Sequence, residues 1–390
     1  MKRALPAAVR SDYAAAADFL RVISIFFIAW FHIWQQSWLN PNLKLFGHTI
    51  NLYPVVACGY MFVDIMLTLS GFLLMLGFLN GRGRNVREFY VARLARILPC
   101  YLFCLLVMLF CFALPNREYG SAGHMWKDIL SHLTFTHNLL AEGYTGTRLN
   151  GVLWTLAVEM QFYLFFPLIA RAFEKKTWLT WLVMVIMGMA TRYFVYRTYE
   201  NTSLYFNRLP CMLDVYANGM LAARLYYNRK DVKITSWRAT LNAFLILLCC
   251  VCAYHILRLQ QYRSGGENIR LGQMLWRFPL SALGAVFLLC GSRTFASLRL
   301  FFSNPLTRFL AGISYNFYIW HQFLAVKLKA WRVPAYTGEN PNMAGLQPWQ
   351  TRYTLLCFGI ALALSVMLTY LLERPCARAI KRRLMPRKNA

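Results

Sequence analysis

Residues 19 to 39 read Phe19-Leu-Arg-Val-Ile-Ser-Ile-Phe-Phe-Ile-Ala-Trp-Phe-His-Ile-Trp-Gln-Gln-Ser-Trp-Leu39. A run of this length and apolarity spans a bilayer core about 30 Å thick. It is long, rich in aromatic residues and without a small-residue cleavage site, so it reads as a first membrane helix and not as a cleavable leader. It also carries two ionisable residues, Arg21 and His32. Eleven steps at roughly 100° each nearly complete three turns, so the two share one helix face about 16 Å apart.

Working outward, the 390-residue chain is 58% hydrophobic with mean hydropathy +0.40, against about 45 to 50% for soluble globular proteins. Apolar runs of helical length recur near 19–39, 55–79, 94–114, 150–171, 178–196, 208–226, 239–257, 274–291, 306–327 and 353–373. The expected fold class is an all-α integral membrane protein of about ten transmembrane helices, as one membrane domain over 1–376 and a basic tail over 377–390.

The net charge of +27 from 42 Lys and Arg against 15 Asp and Glu would suit a nucleic-acid binder only if it lay on one face. Instead the cations cluster between alternate apolar runs: Lys2, Arg3 and Arg10, Arg82 to Arg96, Arg171 to Lys176, Arg224 to Arg238, Arg293 to Arg308, and the tail from Arg374. That is the positive-inside pattern, which places both termini in the cytoplasm and excludes nucleic acid as a partner. The 11 cysteines fall mostly within apolar runs, as Cys104, Cys111, Cys249, Cys250 and Cys290 do, where cysteine acts as a small hydrophobe. Neither a disulfide framework nor a metal site is expected, since Cys249 and Cys252 lack a second pair.

Four loops, 40–54, 115–149, 197–207 and 328–352, are expected on the outer side as non-helical connectors. Aromatic residues such as Tyr119, Tyr144, Trp331 and Tyr336 would suit sugar stacking there and are equally expected at an interface.

Ionisable residues inside a membrane helix are costly and therefore functional candidates. The expected helices hold Arg21, His32, Asp64, Glu159 and His321, and the rise per residue places the last four in one layer of the outer half. Arg93 and Arg96, at i and i+3, share a face at the cytoplasmic end of the third helix, with Arg87 before them. Paired guanidinium groups there suit a pyrophosphate, although topology alone also places cations there. His32 would equally read as a packed core histidine, Asp64 and Glu159 as an interhelical polar clasp, and His321 as an interfacial residue. A neutral histidine near a carboxylate is the arrangement a general base requires.

These residues stand in runs that resemble one family. The runs are Asp18-Phe-Leu-Arg21 with His32, Leu69-Ser70-Gly71-Phe72-Leu73, Arg87 through Arg93 and Arg96 to Pro99, and Leu153-Trp154-Thr155 through Glu159, Tyr163 and Pro167. Ile313-Ser314-Tyr315 through Tyr318, Trp320, His321 and Gln322, and Leu372-Glu373-Arg374-Pro375, complete the series. Six runs in this order resemble the membrane-bound acyltransferase 3 family of bacterial O-acyltransferases acting on surface glycans, over nearly the whole chain.

The resemblance implies an inner-membrane, multi-pass enzyme. Acyl-CoA, usually acetyl-CoA, would be its cytoplasmic co-substrate, with no permanently bound cofactor. It implies functional roles for Arg21, His32, Arg93, Arg96 and Glu159. In the reading drawn from both sources, Arg93 and Arg96, assisted by Arg21, hold the coenzyme phosphates. His32 either deprotonates the acceptor hydroxyl or carries the acyl group itself, oriented by Glu159. Tyr163, Ser314 or Tyr315 would stabilise the oxyanion, with Asp64, Ser70 and His321 in support.

The chain ends shortly after its last helix, so transfer is expected to be completed in the membrane domain or by a partner. The acceptor, a glycan or lipid-linked sugar, is not named by the sequence, nor are acyl length and oligomeric state. A secondary transporter exporting a glycan or lipid-linked precursor is the main rival, and it would show inverted repeats and interrupted helix pairs, which this sequence lacks. An acyl-CoA sensor without turnover is the second.

Overall fold

The computed structural model describes residues 7–229, 232–264, 269–343, 345 and 347–385. The expected basic residues Lys2, Arg3, Arg387 and Lys388 lie outside them. Among the described residues the only strands are β1 (Asn42–Leu45) and β2 (His48–Asn51), an antiparallel hairpin within the expected 40–54 loop. The long helices are α1 (Ala7–Ser37), α2 (Phe62–Leu79), α3 (Val86–Val107, continued by a π turn over Met108–Ala113), α4 (Ala122–Leu133), α5 (Trp154–Lys175) and α6 (Thr177–Thr198). They continue with α7 (Leu213–Arg229), α8 (Ser236–Ser264), α9 (Ile269–Gly291), α10 (Pro305–Ala330), α11 (Gln347–Leu368) and α12 (Arg374–Leu384).

Eight stretches among these are long and apolar enough to cross a membrane, and the chain is an all-α protein of membrane type. The two other expected spans are the helices α7 and α10, which are too short or too polar to qualify alone. At 17 residues, α7 carries Asp214, Asn218 and Arg224. It is tolerated because neighbouring helices enclose it.

Its closest neighbour is α2. A Cβ on Gly219 would lie 1.9 Å from the carbonyl oxygen of Thr68, and one on Gly71 would lie 2.5 Å from that of Tyr216. Small residues on both sides thus let the two backbones touch, the packing that membrane helices use where no hydrophobic force drives them together.

Local signals set several helix starts. The Asn85 side chain accepts from the N–H of Glu88 to begin α3, and Ser121 accepts from His124 N–H to begin α4. Asn304, followed by Pro305, caps α10 through Thr307 N–H. Each cap satisfies one of the amides that a helix start leaves open.

Four charged residues form a network through the bundle. Arg192 of α6 meets Asp214 of α7 through two 2.6 Å bonds and donates to the Cys211 carbonyl at 2.8 Å. Arg277 of α9 lies 3.0 Å from Asp64 of α2. The expected set of intramembrane ionisable residues omitted Arg192, Asp214 and Arg277, and the structure adds them. Pairing is what makes their burial tolerable, since an isolated charge would cost several kcal/mol.

The 115–149 stretch, expected as a non-helical connector, contains α4 and forms a compact lobe. Asp128, fully buried, lies 3.1 Å from His132 Nδ1 and accepts from the hydroxyls of Tyr119 and Thr147 and from Arg148 N–H, each at 2.9 Å. The His132 ring stacks on His137 at 4.0 Å and 3°. Burial alone would raise the Asp128 carboxyl, but the bonds from His132, Arg148 and Thr147 hold it below the ordinary range. Burial, and then the neighbouring His132, push His137 down to about 3.

Candidate active site

One face of α1 organises the site. Arg21, Ile25, Ile28, His32 and Gln35 recur at helical spacing, and Arg21 and Ile25 line one cavity while Ile28, His32 and Gln35 line another. Tyr318 of α10 belongs to the walls of both. Its hydroxyl is fixed there, donating to Val152 O at 3.1 Å and accepting from Thr155 at 2.8 Å.

The first cavity, about 100 Å³, gathers eight of the residues singled out in the sequence: Arg21, Ser70, Arg93, Arg96, Glu159, Tyr163, Ser314 and Tyr315. They come from α1, α2, α3, α5 and α10. The Arg93 guanidinium lies over the rings of Phe89 and Tyr163, each 5.6 Å away, and its Nε is buried without a hydrogen-bond partner. Arg96 is exposed. Glu159 has Ser70 as a hydrogen-bonding neighbour and Arg96, Arg93 and Arg21 as charged ones, with the Tyr163 hydroxyl 3.5 Å from its carboxylate. Three cations therefore converge where one carboxylate faces them, the charge pattern of a site for an anion.

Ser314 and Tyr315 were expected as oxyanion donors. Their hydroxyls instead donate to the backbone carbonyls of Ala311 and Ile97, both at 2.8 Å, so they shape the wall.

The second cavity, about 1100 Å³, is polar and open. Its lining includes His32, Gln35, Tyr60, Asp64, Tyr144, Trp154, Glu200, Asn207, Arg270, Gln273 and Arg277. The lobe forms its rim. Gln161 donates to Asn138 Oδ1 at 2.7 Å, Asn138 donates to Asn207 O at 3.1 Å, and Asn207 donates to the Tyr144 hydroxyl at 2.6 Å. Of the four loop aromatics noted in the sequence, Tyr144 reaches this cavity; Tyr119 is committed to Asp128, while Trp331 lies near Phe112 and Tyr336 near Trp349.

His32 stands in this second cavity. Its ring Nδ1 lies 3.0 Å from the amide oxygen of Gln35, so Nδ1 carries the proton and Nε2 presents a lone pair. The partner of His32 is thus Gln35, whereas the sequence suggested Glu159, which sits among the arginines. His321 lies buried beside it, ring centroids 5.2 Å apart. Asp64 lines the cavity while paired to Arg277. Gln35, Tyr318 and Arg277 are the members that sequence reasoning passed over. Gln35 was visible as the next polar step, three residues past His32, on the same face.

No group of three or more metal-ligating side chains occurs among the described residues.

The family described as acyltransferase domain matches residues 15–372. A protein of Acidianus two-tailed virus, named as a proposed acetyltransferase, is 24% identical over 321 residues, covering 80% of this chain and 84% of its own length. A Staphylococcus aureus protein named as a proposed O-acetyltransferase is 22% identical over 332 residues, and the chain spans 50% of its length. The acyltransferase MdmB of Streptomyces mycarofaciens is 30% identical over 128 residues, 32% of each chain. No solved structure matches.

Proposed function

Because the chain belongs to the acyltransferase family whose domain covers residues 15–372, it is a multi-pass membrane acyltransferase, and from that premise we propose the direction and chemistry of its transfer. It moves an acetyl group from cytoplasmic acetyl-CoA to a hydroxyl of a glycan or lipid-linked sugar on the opposite side of the cell membrane.

The observation that carries this reading is the single α1 face that lines two chemically different cavities meeting at Tyr318. The arginine-rich cavity lies toward the bundle end where Arg82, Arg84 and Arg87 cluster, which the positive-inside rule assigns to the cytoplasm. There Arg93 and Arg96, with Arg21, hold the phosphates of the coenzyme, whose dense negative charge matches guanidinium forks. Glu159 and Ser70 keep those guanidinium groups in place between turnovers.

The thioester extends past Tyr318 to His32. The lone pair on His32 Nε2 removes the acceptor hydroxyl proton as the oxygen bonds to the acyl carbon, and coenzyme A thiolate leaves. Gln35 supplies what a carboxylate supplies in other triads, a fixed tautomer, without placing another charge in the membrane. The large polar cavity, with Tyr144 and Trp154 offering ring faces and Asn207 and Gln273 offering amides, has the room and chemistry for a sugar.

The test follows free coenzyme A from acetyl-CoA, using the detergent-purified chain, His32→Ala and an Arg93/Arg96 double alanine variant. Release by the wild type that vanishes in His32→Ala, and that requires far more acetyl-CoA in the arginine variant, supports the reading. Folded wild type that neither binds nor cleaves acetyl-CoA or longer acyl-CoAs ends it.

A further inference from the structure

One buried group near the site has no partner in the chemistry described so far. His321 stands on α10 one turn from Tyr318 and is 1% exposed. Its ring lies 5.2 Å from that of His32, inclined at 44°. Its Nδ1 faces two backbone carbonyls, Tyr318 O at 2.7 Å and Phe317 O at 3.2 Å. Carbonyl oxygens only accept, so Nδ1 carries the proton and Nε2 is a bare lone pair. That Nε2 is buried with no hydrogen-bond partner among the described residues. Leaving such an acceptor dry is unfavourable, because it has given up water and gained no partner. The ring packs against Phe317 and Tyr318, but its only hydrogen bonds to the helix run through Nδ1, which a smaller amide could also supply.

Two tautomers, each fixed from its far side, therefore put two basic lone pairs on neighbouring rings. Gln35 fixes one and the α10 carbonyls fix the other. The ring centroids are 5.2 Å apart and no His32 nitrogen bonds His321 Nε2 in this structure, so a proton passes between them through a small ring rotation or a single bridging water. Two added protons would place like charges together in a low-dielectric interior, so the pair accepts one.

We propose that His321 is a positioning residue acting through His32, and that its Nε2 is the second seat of the proton taken from the acceptor hydroxyl. The inference rests on the acyl-transfer reading above. As the O–C bond forms, the hydroxyl proton passes to His32 Nε2 and is shared with His321 Nε2. As the C–S bond breaks, that proton goes to the departing thiolate. The products are the acetyl ester and coenzyme A with its thiol restored, and both imidazoles return to their starting state.

The test uses the full chain in detergent, acetyl-CoA as donor and an N-acetylglucosamine oligosaccharide as the hydroxyl probe. His321→Asn keeps an amide where Nδ1 donates to the carbonyls, and His321→Gln puts a non-titrating amide where Nε2 lies. Both are expected to lower kcat roughly 100-fold, at the lower edge of what proton transfer by a positioned side chain contributes, with KM for acetyl-CoA within about twofold of wild type. A role limited to holding α10 together predicts the opposite for His321→Asn, which would keep wild-type kcat, and that result overturns the proposal. A proton inventory of kcat in H2O/D2O mixtures on the unmodified chain needs no variant. A bowed plot marks two protons in flight, and a straight one overturns the shared seat. If folded wild type neither binds nor cleaves acetyl-CoA or longer acyl-CoAs, the acyl-transfer reading falls and takes this inference with it. An active wild type beside an active His321→Asn removes the inference alone.

Discussion

Two sets of buried charges share this bundle, and they differ in how far each is paired. Arg192 and Asp214 close on each other through two 2.6 Å bonds, and Arg277 and Asp64 lie 3.0 Å apart, two cations against two carboxylates. Around the smaller cavity, Arg21, Arg93 and Arg96 face Glu159 as the only carboxylate of the lining; outside it Asp18 approaches Arg21 at 3.8 Å and the charge of Glu373 reaches Arg96, but neither closes a tight pair. A matched set can be buried without any visitor, whereas an unmatched one is expensive until an anion arrives. The closed network joins α2, α6, α7 and α9, and the open one is presented by α1, α3 and α5. Paired charge here holds helices, and unpaired charge waits for substrate.

The strongest attempt to break that contrast is His32→Ala. If the open set is catalytic, turnover falls by about 10³-fold or more, the scale of general-base removal, while the thermal midpoint in detergent stays close to wild type. A variant that melts early would instead move His32 to the closed, structural set.

The reverse experiment is Asp214→Asn. It leaves Arg192 buried without its counter-charge and is expected to cost about 3 to 5 kcal/mol of stability, read as a lowered melting midpoint and reduced yield. Replacing both partners with apolar residues, Arg192→Met with Asp214→Leu, should recover most of that loss. An Asp214→Asn protein as stable as wild type would show the pair to be incidental.

Removing one cation of the open set should act differently again. Arg93→Ala or Arg96→Ala is expected to raise KM for acetyl-CoA about 10- to 100-fold, the worth of a charge-assisted hydrogen bond, with a smaller change in kcat. Equal losses in both, or a shift in melting of the Asp214→Asn kind, would place these arginines with the structural charges.

The sequence made the open set legible and, of the closed set, only Asp64, for one physical reason. Arg21 and His32 lie inside an apolar run and eleven residues apart, so a helix period alone puts them on one face. Arg192, Asp214 and Arg277 lie within a turn or two of the expected helix ends, where a long side chain normally reaches water. Only the azimuths of four helices show that they turn inward and meet. The same limit explains Gln35, whose spacing was visible but whose pairing with His32 was not, and the expectation that Glu159 would serve there. Helix depth can be counted along a chain, but facing partners on different helices cannot. The π turn at Met108–Ala113 and the β1–β2 hairpin have no periodic signature at all. The lobe was read as a connector because its helix is short and its anchor, Asp128 with His132 and His137, comes from contacts within a loop.

That lobe offers the finest version of the comparison, a matched set outside the membrane spans with one titratable member forced neutral. His137 is pushed down to about 3 from an ordinary 6.5. The folded lobe therefore binds fewer protons than the unfolded chain between those values, and stability rises with pH across that interval. It is complete above 6.5 and is lost as pH falls toward 3. Between pH 8 and pH 6 the loss is small, about 1 kcal/mol for a single such group. Asp128, held below 3.8, contributes stability that is present above its unfolded value and changes nothing in this range. Hydrogen exchange followed by mass spectrometry on peptides from residues 122–150 should show protection at pH 6 reduced several-fold relative to pH 8, after correction for intrinsic exchange, with the membrane helices unaffected. His137→Phe removes the titrating ring and should flatten that slope whatever it does to the absolute level. A slope that persists in His137→Phe would assign it to another group, and uniform protection at both pH values would mean that His137 keeps its proton count on opening.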